Sequence, residues 1–387
     1  MELLRQFGMR RIGTRKPWKS AAMAAAVVWA LSIGVPTASA QDGRLPDPNL
    51  DLPKGTRISV IGNTLADRMQ HTGWLEAIIH SRFPSHNLTI RNLAFSGDEL
   101  TLRLRSAAFG EPDEWLSKTK ADIVCAFFGY NESYRGLAQF RSDLDAFIQH
   151  TLAQKYNGES PPKLVLFSPI AFEDHRDPSL PDGKDVNLRL ERLTAVMADL
   201  AEARDVRFID LFHPTKELYA AGGPPLTING LHLNSDGDKA VAEIVEKALF
   251  GDVQPRDAAR FEKLRQAVLD KSFIWFNRYR TVDGYSIYGG RADLAFVDNQ
   301  TNRVVAQREM EVLDVMTANR DKRIWEVAAG GDPAPVDDSN TPPFIPVVTN
   351  KPGEGPNGEH LFLGGEEAIS KMTPGTGLKV NLFASEE

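Results

Sequence analysis

Four short stretches carry the side chains best suited to chemistry. They are Gly62-Asn63-Thr64-Leu65, Asn92-Leu93-Ala94-Phe95-Ser96-Gly97-Asp98, Phe128-Gly129-Tyr130-Asn131-Glu132 and Asn229-Gly230-Leu231-His232-Leu233-Asn234. Between them they offer an alcohol at Thr64, a side-chain-free amide at Gly97, a carboxamide at Asn131 and an imidazole at His232. A hydroxyl that attacks an acyl carbon creates a tetrahedral oxyanion, and each fixed amide donor stabilises that charge by about 3 kcal/mol. An imidazole can take the proton from the hydroxyl and return it near neutral pH. Each stretch also has a plain structural use: Thr64 can cap a helix, and Gly97 and Asn131 can make turns. Four of them in chain order are what point to a site.

The elements that must position these groups are legible around them. Apolar, β-branched runs predict strands at 57–61, 88–92, 122–128, 163–167 and 206–211. Helical spacing predicts helices at 74–83, within 99–118, at 137–156, at 186–203 and at 236–250. Buried strands alternating with amphipathic helices imply an α/β domain over 56–251, a five-stranded parallel sheet in a three-layer, flavodoxin-like arrangement. Three of the four stretches then follow strands one, two and three, on the carboxyl edge where open sheets bind ligands. The fourth precedes the last helix.

Across roughly residues 56–251 these stretches resemble the SGNH, or GDSL, hydrolase family. The resemblance implies an ester hydrolase without metal or organic cofactor. Thr64 occupies the position of the nucleophile, Gly97 and Asn131 those of oxyanion donors, and His232 that of the base. Asn229 stands where that family has the acid that orients the base. Two departures bear on activity: threonine adds a methyl group beside the hydroxyl, and asparagine carries no negative charge. Asn63 and Glu132 stand where the family has aspartates, and Asp236 or Glu132 could orient His232 in place of Asn229. Three readings stay open: an esterase acting on a carbohydrate or a small acyl ester, a module that binds a glycan or acyl group without turnover, and a structural adaptor for a C-terminal partner.

Six basic residues precede the apolar stretch 21–35, and Ala38-Ser39-Ala40 offers a cleavage site, so residues 1–40 read as a secretory signal. Export to the periplasm or the exterior is expected, with no membrane span left after cleavage. Losing six basic residues and the one acid, Glu2, takes the formal net charge from -7 to -12. An acidic exported domain is a poor partner for nucleic acid. The single cysteine, Cys125, permits neither an internal disulfide nor a multi-thiolate metal site.

Residues 41–55 read as a linker, and 252–329 as a small C-terminal helical appendage whose aromatics Phe273, Trp275 and Phe276 form a docking face. The string Arg320, Asp321, Lys322, Arg323 and Glu326 reads as a solvated helix face. Residues 330–387 read as a Pro- and Gly-rich linker ending at the start of a further domain. This tail resembles the front part of large exported planctomycete-type proteins, which would place additional domains beyond it.

Overall fold

A computed structural model of the protein describes residues 49–280, 284–294, 300–332, 334–347 and 353–385. The expected leader and the first part of the 41–55 linker lie outside the described residues. Five strands, β1 (Arg57–Gly62), β2 (Thr89–Asn92), β3 (Ile123–Phe127), β4 (Lys163–Phe167) and β5 (Arg207–Ile209), form one sheet. Its order is β2-β1-β3-β4-β5 and every pairing is parallel. Helices α1 (Thr64–Met69), α2 (Trp74–Arg82), α3 (Pro112–Lys118), α4 (Leu137–Ala153), α5 (Lys184–Ala203), α6 (Phe212–Ala220) and α7 (Ser235–Phe250) follow in sequence. This is the three-layer, flavodoxin-like α/β architecture expected above.

The period of two along each strand divides the core into two faces. Val60, Cys125, Phe127, Val165 and Phe167 pack against Met69 of α1, Ile79 of α2 and Val245 of α7. Ile61, Val124, Ala126 and Leu166 point the other way, against Trp115 of α3, Ile148 of α4 and Met197 of α5. Cys125 is a buried hydrophobe, and burial pushes its thiol up to about 12.

Strand order reverses at β1, which pairs with β2 on one side and β3 on the other, so the ligand crevice of such a sheet opens between β1 and β3. Gly62 ends β1 opposite Phe127, with φ of +140°, and a Cβ there would lie 2.2 Å from the Phe127 carbonyl oxygen. Only glycine lets the two strand ends approach this closely.

Beyond the sheet domain come α8 (Ala258–Tyr279), α9 (Gly284–Ile287), α10 (Asn302–Ala328) and α11 (Gly365–Ser370). Helix α8 runs along the open edge of β2. Lys271, Trp275 and Tyr279, spaced four apart, donate to the carbonyl oxygens of Ile90 (3.2 Å), Asn92 (2.7 Å) and Leu93 (2.8 Å). Trp325 of α10 donates to the Leu88 oxygen at 2.6 Å. Side chains thus satisfy carbonyls that a bare edge strand would present to other chains. Of the three aromatics expected at a docking face, Trp275 is buried, Phe276 is half-buried and Phe273 is exposed.

The expected solvated face on α10 holds for Lys322 and Glu326, which are exposed, but not for Arg320 and Asp321. Asp321 is buried in a bidentate pair with Arg91, and Arg320 pairs with Asp270 and Asp338. Packing of α10 on α8 and the β2 edge draws these charges inward. Asn319 also ties down the chain after α10, donating to the Asp337 oxygen at 3.2 Å and to Asn340 at 2.7 Å. Residues 378–383 form no strand.

Trp275→Ala removes a buried ring and the donor to Asn92. It is expected to cost about 3–5 kcal/mol, read as a lower midpoint in urea unfolding. A loss below 1 kcal/mol would mean that α8 does not hold the sheet edge.

Candidate active site

The site begins where β1 meets α1. The Asn63 side chain caps α1 by accepting from the Leu65 N–H at 3.3 Å, so Thr64 is the first helical residue and not the cap. Its N–H lies in the first turn, where amides have no intrahelical acceptor. One turn later, at the i+4 position, Arg68 shares its face of the helix.

The loop after β2 is held from several sides. Asp67 Oδ2 accepts from the Ser96 N–H at 3.1 Å and hydroxyl at 2.6 Å, while its Oδ1 accepts from Arg280 at 3.0 Å. Phe95 lies between two guanidinium groups, 3.9 Å from that of Arg105 and 3.4 Å from that of Arg280. Arg105 also makes a bidentate pair with Asp98 at 2.7 and 2.8 Å.

The loop after β3 is latched to this one by two neighbouring residues. Asn131 Nδ2 donates to the Asp98 carbonyl at 3.2 Å. The buried Glu132 carboxylate accepts from the Gly129 N–H at 2.9 Å and the Leu100 N–H at 2.8 Å. Burial pushes the Glu132 carboxyl up, while those backbone donors oppose the rise. Glu132 is therefore committed to the loops. Asp236 is exposed and makes no hydrogen bond to His232 among the described residues, so neither carboxylate orients the imidazole.

Asn229 does. Its Oδ1 accepts from the Leu231 N–H at 3.3 Å and the His232 N–H at 3.0 Å, which identifies that atom as the oxygen. The same oxygen lies 3.1 Å from His232 Nδ1. An amide oxygen only accepts, so Nδ1 carries the proton and Nε2 keeps its lone pair. Burial lowers the His232 pKa from its ordinary value, and the positive charge of Arg68 lowers it further. The imidazole is thus a neutral base with its tautomer set.

The hairpin that carries it is firmly seated. The Glu173 carboxylate accepts from the Leu226 and Thr227 N–H groups and from the Thr227 hydroxyl. Gly230 has φ of +87°, and a Cβ there would meet the Phe172 ring at 2.3 Å.

Thr64, Asn131 and His232 line one cavity of about 150 Å³ at the carboxyl edge of the sheet. Gly97 does not line it; it is exposed on the neighbouring loop. Asn229 stands behind His232, away from the cavity. No hydrogen bond joins the Thr64 hydroxyl to the imidazole among the described residues. Two charged residues also line the cavity, Arg68 and Asp238, and neither was anticipated. The four-residue step from Thr64 to Arg68 was the available signal for the first. Asp238 sits in the first turn of α7 and reads as an ordinary helix-start acid.

Residues 62–240 match the GDSL-like Lipase/Acylhydrolase family. That match, on this fold and with this cavity, puts the domain in the class of ester-bond hydrolases. Similar solved structures include a catalytic mutant of Axe2, an acetylxylan esterase from Geobacillus stearothermophilus. It is 15% identical with a TM-score of 0.43, covering 54% of this chain and 100% of that one. LAE5, an alpha/beta hydrolase enzyme from the metagenome of Lake Arreo, is 17% identical with a TM-score of 0.41, covering 51% of this chain and 95% of that one. A gut microbial diltiazem-metabolizing enzyme is 15% identical with a TM-score of 0.41, covering 52% and 49%. No curated protein matches the chain in sequence. Among the described residues there is no cluster of three or more His, Cys, Asp or Glu that could hold a metal ion. No helix among them is long and apolar enough to cross a membrane.

Proposed function

We propose that the domain hydrolyses small acyl esters, acetyl esters of carbohydrates among them, with Thr64 as nucleophile and His232 as base. The supporting observation is the shared cavity, lined by half-buried Thr64 and by His232, whose Nε2 is the ring nitrogen left free by the Nδ1 contact with Asn229. In this reading Nε2 takes the hydroxyl proton as the Thr64 oxygen attacks the acyl carbon. The resulting oxyanion is held by the Thr64 N–H and the Asn131 carboxamide, both from residues that line the cavity. Collapse expels the alcohol, which leaves with the proton from His232. Water, deprotonated by the same nitrogen, then releases the acid from Thr64. A cavity of about 150 Å³ suits an acetyl-sized acyl group. The basic leader and its small-residue cleavage site support action outside the cytoplasm.

A second reading, binding of a glycan or acyl group without turnover, is favoured by one observation. Residue 229 contributes an oxygen but no charge, so the group that orients His232 gives an imidazolium no ionic stabilisation.

Purified protein with p-nitrophenyl acetate and acetylated xylan separates the two. The expected result is measurable turnover that falls by about 10²–10⁴ in His232→Ala and at least as far in Thr64→Ala. Turnover that survives both substitutions removes these residues from the mechanism. Binding without turnover establishes the second reading.

A further inference from the structure

We infer that Arg68 and Asp238 form a hydroxyl-recognition subsite in the cleft, so that the ester turned over there carries a free hydroxyl close to the scissile bond. The inference rests on the ester-hydrolase reading of the same cavity.

Both residues line the cavity with Thr64 and His232. Asp238 is only 4% exposed. Its Oδ2 accepts from the Thr72 hydroxyl at 3.0 Å, whereas its Oδ1 is buried with no hydrogen-bond partner among the described residues. Arg68 is in the same condition. Its Nε is buried and unpartnered, and its one side-chain hydrogen bond among the described residues, to the Leu233 carbonyl, is long at 3.4 Å. The two side chains make no ion pair with each other among the described residues. Each therefore keeps hydrogen-bonding capacity that burial makes costly to leave unused.

The chemistry of the missing partner follows from having both signs in one small space. An ammonium would suit Asp238 and be repelled by Arg68; a carboxylate would suit Arg68 and be repelled by Asp238. A hydroxyl is neutral and is donor and acceptor on one atom. It can donate to Asp238 Oδ1 while accepting from the guanidinium. Since Thr64 and Arg68 lie one helical turn apart, that hydroxyl sits next to the ester that Thr64 reaches. Burial also pushes the Asp238 carboxyl up to about 6, with Thr72 and Arg68 opposing, so the group is held in an unfavourable place.

The hydroxyl can belong to the alcohol part or to the acyl part of the ester, and two substrate pairs distinguish them. One pair is 2-hydroxyethyl acetate and propyl acetate; the other is ethyl glycolate and ethyl propanoate. In each, hydroxyl is exchanged for methyl. The full chain is expected to favour the hydroxylated ester of at least one pair by about ten- to a hundredfold in kcat/KM, after correction for the alkaline hydrolysis rates. That ratio should fall towards one in Asp238→Ala and in Arg68→Gln, the latter keeping a long polar side chain in case the former fails to fold. A ratio near one in both pairs, or a preference unchanged in the variants, overturns the subsite. If no ester is turned over, saturation-transfer NMR of the same pairs reads the preference as binding. Failure of hydrolysis is then distinguished from failure of the subsite, and equal binding of both members overturns the latter.

Discussion

Asn229→Asp is expected to raise kcat/KM for p-nitrophenyl acetate by about 10²- to 10⁴-fold, the reverse of the loss seen when a triad aspartate becomes asparagine. The structure gives the reason in two parts. Asn229 already performs the orienting half of the task, because its oxygen accepts from Nδ1 at 3.1 Å and sets the tautomer. It omits the electrostatic half, since an amide does not stabilise the imidazolium that forms as Thr64 is deprotonated. Arg68 and burial act against that cation as well. A carboxylate in the same place restores the missing charge with little movement of the hairpin. The pH–rate profile supplies an independent readout. In the native protein the acid limb, set by protonation of His232, falls below the ordinary histidine value of about 6.5. In Asn229→Asp the added negative charge favours the imidazolium, so that limb moves to higher pH. A variant that folds, shows no gain and keeps its acid limb unmoved would mean that His232 is not the base.

The second large effect concerns stability. Lys271→Met is expected to destabilise the protein by about 3–5 kcal/mol, since it leaves a buried carboxylate without its main partner. Lys271 is 1% exposed, and its ammonium donates to Glu76 Oε2 at 2.8 Å and to the Ile90 carbonyl at 3.2 Å. Burial alone would raise the Glu76 carboxyl; Lys271 and then His80 outweigh it, so its pKa lies below the ordinary value. A depressed folded-state pKa contributes stability above the unfolded-state value, about 4.3, and that contribution is lost as pH falls through the folded value. In the variant, burial acts against the carboxylate with His80, 3.7 Å away, and the charge of Arg91 left to offset it. Without Lys271 burial pushes the Glu76 carboxyl up, so the deficit is greatest at neutral pH and shrinks as pH falls towards the unfolded-state value of about 4.3 and Glu76 takes up its proton. Urea unfolding at pH 7.5 and pH 4 tests the sign. A deficit independent of pH would mean that the loss is one of packing and not of charge.

How far the sequence discloses this molecule depends on which forces act locally. The central strands were legible because burial on both faces demands uninterrupted apolar, β-branched runs; Lys163–Phe167 has the limits expected for it. Strand β5 shrinks to Arg207–Ile209, since an edge strand is paired on one side only. Helix α1 went unread because six residues are too few to show a period. Helix α6 was missed because Pro214, tolerated in a first turn, reads as a break. The charges at 320–321 were misjudged because their partners, Arg91 and Asp270, are remote in the chain. At the site, Thr64 and Asn131, placed by strand ends, and His232, placed just before α7, were legible and share a cavity. Capping by Asn63, the position of Gly97 outside that cavity, and the roles of Arg68 and Asp238 depend on side-chain directions that spacing does not encode.

The account turns on one pairing, a threonine oxygen made nucleophilic by His232. A fluorophosphonate probe examines it without reference to any natural substrate. The attacking oxygen displaces fluoride from phosphorus and surrenders its proton to the base, leaving a stable adduct. Peptide mass spectrometry of the labelled full chain should place the phosphonate on Thr64, with labelling strongly reduced in His232→Ala. Labelling confined to another residue, or a Thr64 adduct formed as fast without the imidazole, would contradict the account.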